Sequence, residues 1–191
     1  MSRAQLSRDT GLSKPTVSQA LANLERAGLV RSVGAASGGR GRMAVLYEPD
    51  ATAGYVVGVD VGGSWVRCGV ADLAGSLVGR RDVRNRARSA KALVDTVTAL
   101  AHDAVRDAGL TWSSVVHTQV GSPGVFDQAS GRLLFAPNLP GGWERSGLVE
   151  RLEQALGTPV TVENDANLAA VGERTFGLSL LDHLDPGHRA R

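Results

Sequence analysis

A chain of 191 residues, 42% of them hydrophobic, is long enough for one large or two small domains with their own cores. It has no apolar run near the ~20 residues that cross a bilayer, and its first residues lack the apolar segment of a signal peptide. Its single cysteine, Cys68, forms neither an internal disulfide nor a cysteine-based zinc site by itself. These features argue against a membrane or disulfide-stabilised protein and predict a cytoplasmic location.

The net charge of +2 is unevenly distributed along the chain. Residues 1–50 carry seven basic and four acidic side chains, a net charge of +3, whereas the remainder carries −1. An excess of positive charge at one end of a chain indicates a polyanionic partner for that end.

The first fifty residues have the pattern of two helices followed by a hairpin. Gly11 can adopt the positive φ that ends a short first helix. Ser13 can cap a second helix, whose first turn accommodates Pro15. The second helix has one apolar stripe, formed by Val17, Leu21 and Leu24. Two short apolar runs then flank a glycine-rich loop that carries Arg40 and Arg42.

A helix–turn–helix followed by a basic hairpin is typical of a winged helix-turn-helix. The second helix would enter the major groove, and the hairpin arginines would contact phosphates or the minor groove. The predicted DNA-binding residues are Ser13, Lys14, Thr16, Ser18, Gln19, Arg40 and Arg42. The alternative is a small helical subdomain with a solvated polar face. Such domains need a further helix before the pair, but here the pair begins directly after Met1. The pattern therefore predicts that the N-terminus is truncated or its start misassigned. It also predicts that Leu6 and Leu21 are incompletely buried.

A polar, proline-containing linker is predicted over residues 48–54, and a second domain follows it. Its first three strands are predicted over residues 55–61, 65–72 and 77–83. A long amphipathic helix comes next, with apolar residues at Leu93, Val97, Leu100, Ala101 and Ala104. The predicted order of elements is β-β-β-α-β-β-α-β-α, which indicates an α/β domain.

Two turns of this domain carry candidate functional residues. Asp60 and the amides of Gly62–Ser64 could hold a phosphate, although an ordinary hairpin turn explains the same pattern. Asp165 is predicted at the carboxyl end of a strand, where open α/β sheets bind ligands, and Asn138 could meet it there. The alternative role for Asp165 is capping of the last helix, which stabilises a helix by ~0.5–2 kcal/mol.

The three stretches VGVDVGGSWVRCGVADLAG, VGSPGVFDQASGRLLFAPNLPGGW and GTPVTVENDANLAAVGE, in this order and behind a winged helix, resemble the ROK family of repressors and sugar kinases. The resemblance implies an actin-like, ribonuclease-H-like ATPase fold for the second domain. It implies that Asp165 is the base of kinase members and that Asn164 and Asn138 contact sugar. The phosphate loop would consist of Asp60, Gly62, Gly63 and Ser64.

The resemblance also implies a bound zinc ion in the full-length protein, and ATP with magnesium in kinase members. The cysteine cluster and the second phosphate loop of the family are not in this chain. No cofactor and no metal ligand are therefore predicted for it. The predicted domains are a winged helix-turn-helix over 1–50, the first half of an actin-like domain over 54–181 and an irregular tail over 182–191.

The predicted function is that of a truncated DNA-binding repressor, not an enzyme. In its full-length form it would respond to a small sugar and bind its operator as a homodimer. The alternatives are an ATP-dependent kinase that phosphorylates a hexose, or a non-functional gene remnant.

Overall fold

Two units make up the chain in a computed structural model, which describes residues 1–37, 43–127, 129–130, 132–136, 138–145 and 147–177. One unit comprises Met1–Gly54 and Asp72–Ala74, and the other comprises Tyr55–Ala71 and Gly75–Arg191. None of the helices in these described residues is both long and apolar enough to cross a membrane.

The N-terminal unit has the predicted helix–turn–helix and hairpin. Its elements are α1 (Arg3–Thr10), α2 (Lys14–Arg26), β1 (Val30–Ser37) and the antiparallel β2 (Met43–Pro49). Gly11 ends α1 with a φ of 70°, and the hydroxyl of Ser13 accepts the Thr16 N–H at 3.3 Å to cap α2. The predicted linker begins later than expected, because Glu48 and Pro49 pair with β1. A short 3₁₀ helix, Ala51–Ala53, follows β2.

The core of this unit is a small cluster formed by Val17, Leu21 and Tyr47. Leu6 and Val30 pack against it. The expected incomplete burial of Leu21 is wrong, since Tyr47 from β2 joins it in this cluster and Leu21 is 6% exposed. Leu24 was predicted to continue the same stripe, but it lies beyond the cluster, at the end of α2, and is 39% exposed.

The second unit is a mixed five-stranded sheet with helices, as the α/β prediction requires. Its elements are β3 (Tyr55–Val61), β4 (Trp65–Asp72), β5 (Leu77–Arg84), α3 (Ala90–Asp107), β6 (Val115–Ser122), β7 (Val125–Asp127), β8 (Arg132–Leu134), α4 (Leu148–Leu156), β9 (Val160–Asn164) and α5 (Asp165–Phe176). The strand order is β5-β4-β3-β6-β9, with β6 parallel to both β3 and β9. The short strand β7 was not predicted from the sequence. It pairs with β8 in a hairpin that is separate from the five-stranded sheet.

The core of this unit lies between the sheet and the helices α3 and α4. The five predicted apolar residues of α3 are all buried, against alternating valines such as Val57, Val61 and Val120. The opposite face of the sheet is more open, because Gly58 on the central strand β3 is exposed and α5 has no buried residues. The carboxyl ends of β3, β6 and β9 meet at one edge of the sheet because these strands are parallel.

Candidate ligand site at the strand ends

The junction between β9 and α5 is held by its own polar side chains. Asn164 caps α5, because its Oδ1 accepts the Asn167 N–H at 3.1 Å. Its Nδ2 also donates to the Gly124 carbonyl at 2.6 Å. Asp165 is the first helical residue, and its Oδ1 accepts the Ala166 N–H at 2.8 Å. The capping role considered for Asp165 therefore belongs to Asn164, whose extended backbone precedes the first helical residue.

Glu163 ties the last residues of β9 to the first turn of α5. Its Oε1 accepts the backbone N–H of Asn164 at 2.7 Å and Nδ2 of Asn167 at 3.0 Å. These two hydrogen bonds favour the carboxylate and hold the pKa of Glu163 below its ordinary value. Glu163 thus helps to fix the position of Asn164 and of Asp165 beside it.

Asp60 and Asp165 line the same open groove, which has a volume of about 810 Å³. Asp60 pairs in register with Gly121, and a Cβ at Gly121 would lie 3.7 Å from the Cα of Asp165. The carboxylate of Asp60 is not free, because Arg67 Nη1 donates to its Oδ2 at 3.0 Å. The groove is therefore lined by two acidic side chains, and the charge of one of them, Asp60, is neutralised by Arg67.

The predicted phosphate loop forms a tight turn between β3 and β4. The N–H of Gly62 donates to the Trp65 carbonyl at 2.8 Å, as in an ordinary hairpin turn. Asn85 also holds this turn, through its N–H to the Ser64 carbonyl at 3.0 Å and its Nδ2 to the Gly62 carbonyl at 2.8 Å. No role for Asn85 is predicted from the sequence, in which it is an isolated amide within a run of arginines.

Asn138 is an exposed residue in a loop next to this turn. A Cβ on Gly63 would meet the Asn138 carbonyl oxygen at 3.2 Å and the Asn138 Cβ at 3.3 Å. Further along the same loop, the fully buried Trp143 donates from Nε1 to Ser122 Oγ at 3.1 Å. Ser122 is the register partner of Asn164. The structure thus places Asn138 at the same edge of the sheet as the β9–α5 junction.

The described residues do not fit a zinc site. They contain no group of three or more His, Cys, Asp or Glu side chains that could hold a metal ion. Cys68, the only cysteine of the chain, is buried, and burial followed by the Asp82 charge raises its pKa to about 12. The thiolate that a metal needs is therefore strongly disfavoured at this position. The carboxylate of Asp60, which could face the magnesium of a bound nucleotide, is already paired with Arg67.

The predicted DNA-binding residues of α2 lie at its N-terminal end. Lys14, Thr16 and Gln19 are exposed, whereas Ser18 is half-buried. Ser13 is occupied by its capping role, and Gln19 Nε2 donates to Asn23 Oδ1 at 3.1 Å. Arg40 and Arg42 lie outside the described residues.

The family model described as ROK family matches residues 56–182, which is more than half of the chain. The chain belongs to the ROK family. A second model, described as MarR family, matches residues 1–41. The ROK match covers β3 to α5, and the MarR-type match covers the two helices and β1, in agreement with the predicted winged helix-turn-helix and actin-like fold.

Individual relatives divide between repressors and kinases. The chain is 29% identical over 177 residues to the xylose repressor of Bacillus subtilis, a match that covers 93% of this chain and 45% of the repressor. It is 35% identical over 124 residues to the glucokinase of Streptomyces coelicolor, covering 65% of this chain and 37% of the glucokinase. The chain thus spans less than half the length of these relatives.

A solved structure of a ROK family transcriptional regulator, a homologue of the E. coli MLC protein, has the same fold. The TM-score is 0.70 at 19% identity, and the match covers 92% of this chain and 44% of that one.

Proposed function

We propose that this ROK family chain is part of a DNA-binding transcriptional repressor that responds to a small sugar. The observation that supports this most strongly is the extent of the match to the xylose repressor, which includes the N-terminal helix–turn–helix. The match to the glucokinase is confined to 65% of the chain. Repressor relatives therefore share both units of this protein in one polypeptide.

The charges and exposed residues of the N-terminal unit support DNA as its partner. Lys14, Thr16 and Gln19 stand exposed at the start of α2, where recognition helices contact DNA. The first fifty residues carry a net charge of +3, which favours binding to phosphates. A homodimer on a two-fold symmetric operator is the arrangement that suits a single helix–turn–helix per chain.

Polar groups at the strand ends support a sugar as the effector. An exposed amide such as Asn138 can both donate to and accept from hydroxyl groups, and a carboxylate such as Asp165 can accept from them. The names of the relatives suggest D-xylose and D-glucose as the first probes.

The decisive experiment is a fluorescence-anisotropy titration of the full chain. One duplex comes from the DNA upstream of its own coding region, and the other has the same composition in shuffled order. We expect tighter binding to the upstream duplex and a change in affinity when D-xylose or D-glucose is added. Equal binding to both duplexes would contradict the proposal.

A matched pair of variants tests whether α2 makes the contact. Lys14→Ala removes an exposed cation at the start of α2, and Lys91→Ala removes an exposed cation from α3 in the other unit. We expect Lys14→Ala alone to weaken binding, by about threefold to tenfold for the loss of one phosphate contact. Equal effects of the two substitutions would mean that net charge, and not α2, determines the affinity.

A sugar kinase is the second candidate, favoured by one observation. Asp165 lines the same groove as Asp60, as a base and a phosphate-loop acid would. In a coupled assay with ATP, magnesium and D-glucose, a kinase would turn over and its Asp165→Asn variant would lose most of kcat. If the unmodified chain shows no turnover above the rate of that variant, the kinase alternative is wrong for this chain.

A further inference from the structure

We propose that the Gly62–Ser64 turn positions Asn138, with Gly63 as the point of contact and Asn85 as the residue that holds the turn. This inference rests on the proposed sugar response, because Asn138 is the side chain that would contact the sugar and the turn is proposed to hold it in place. It does not require that the turn bind phosphate.

The contact at Gly63 leaves little room for a side chain. A Cβ there would stand 3.2 Å from the carbonyl oxygen of Asn138 and 3.3 Å from its Cβ, tighter than ordinary van der Waals contact. Both atoms are close to the Asn138 backbone, so a change of side-chain rotamer cannot relieve the contact. A methyl group at position 63 therefore requires Asn138 or the turn to shift by a few tenths of an ångström.

The turn resists that displacement because Asn85 holds it from the end of β5. The Asn85 N–H and Nδ2 donate to the carbonyls of Ser64 and Gly62, at 3.0 and 2.8 Å. The Oδ1 of Asn85 accepts the Ala87 N–H at 3.1 Å, which fixes the amide itself. Gly62 also donates to Trp65, so the turn is bonded at both of its ends.

The loop that carries Asn138 is held on its other side. Trp143 is buried and bonded to Ser122, and Leu139 is 8% exposed. Asn138, itself exposed, thus contacts a fixed turn and belongs to a loop that the buried indole anchors five residues further on. A loop backbone held in this way loses less conformational entropy when its side chain meets a ligand than a mobile loop would.

The test compares Gly63→Ala with Gly141→Ala in the full chain. Gly141 belongs to the same loop, has no positive φ, and a Cβ there would meet no heavy atom within 4 Å. Two-dimensional amide NMR reports the backbone and side-chain signals of Asn138 in both variants, and calorimetry measures the affinity for D-xylose and D-glucose. We expect Gly63→Ala to shift the Asn138 signals and to weaken sugar binding about fivefold, the loss of one hydrogen bond, with Gly141→Ala unchanged in both respects.

Two further variants separate positioning from a general loss of stability. In the Asn138→Ala background, Gly63→Ala should have no additional effect on sugar affinity, because the group that it displaces is gone. Asn85→Asp keeps the acceptor for Ala87 but loses the donor to Gly62, and we expect it to reproduce the signal shifts of Gly63→Ala. Additive losses of affinity in the double variant would overturn the inference.

The two proposals fail in different ways. Unshifted Asn138 signals in Gly63→Ala overturn the positioning role, whatever the sugar affinity. Absence of sugar binding in the unmodified chain, together with shifted Asn138 signals, contradicts the proposed sugar response and leaves the positioning role supported.

Discussion

The indole of Trp143 donates a hydrogen bond to the hydroxyl of Ser122 at 3.1 Å, and neither residue is exposed to solvent. This bond joins the carboxyl end of β6 to the loop that carries Asn138. A buried polar group that loses its partner costs about 1–3 kcal/mol, so this bond is important for the geometry of the strand ends.

Trp143→Phe should therefore destabilise the second unit by about 1–3 kcal/mol, because it removes the donor and some of the buried ring. Ser122→Ala should cost less in this background than it does alone, since the bond from the indole is already lost and only the bond from the Ser122 hydroxyl to the Pro123 carbonyl, at 3.3 Å, remains to be removed. Urea unfolding followed by circular dichroism measures both. Strictly additive effects of the two substitutions would mean that the hydrogen bond contributes nothing to stability.

The stability of the N-terminal unit should depend on Leu21 and not on Leu24. Leu21→Ala removes a side chain that is 6% exposed and packed with Tyr47, and should cost about 2–4 kcal/mol. Leu24→Ala removes one that is 39% exposed, and should change the stability by less than about 0.5 kcal/mol. Hydrogen exchange of the α2 amides reports this unit directly. Equal losses of protection would show that Leu24 is covered in solution.

Arg40 and Arg42 are expected to contact DNA phosphates, on the basis of the sequence pattern. Replacing both with alanine should weaken binding and reduce the slope of log affinity against log salt by about two. Arg86→Ala with Arg88→Ala is the matched control, because it removes two exposed arginines from the other unit. If affinity and salt slope match those of the unmodified chain, the hairpin does not contact DNA.

Cys68 should resist alkylation as long as the sheet is folded. Burial, with a smaller contribution from Asp82, raises the pKa of the thiol to about 12, so little thiolate forms at about pH 8. Iodoacetamide should modify the protein slowly in buffer and quickly in urea, where the ordinary pKa returns. Mass spectrometry gives an unambiguous result because the chain has one cysteine. Similar rates in the two conditions would contradict the burial of Cys68.

Local sequence patterns determined most of the secondary structure. The strands Tyr55–Val61 and Trp65–Asp72 have the predicted bounds, since alternating valines and flanking glycines are short-range signals. Gly11 and Ser13 end and cap the first two helices as predicted, because caps depend on neighbouring residues only. The strand β7 was missed, since three residues are too short to show a period.

The sequence also placed Asp165 at the end of a strand, Asp60 at a turn and Asn138 where it could meet Asp165, and it indicated the family. Only the tertiary structure decided what these residues contact. Arg67 pairs with Asp60, Asn138 packs on Gly63, and Asn164 holds the carbonyl of Gly124, 40 residues away. Asn85 reaches Gly62 across 23 residues, and the sequence predicted no role for it. Such contacts depend on how distant segments are brought together by the sheet, and a local pattern contains no information about that distance.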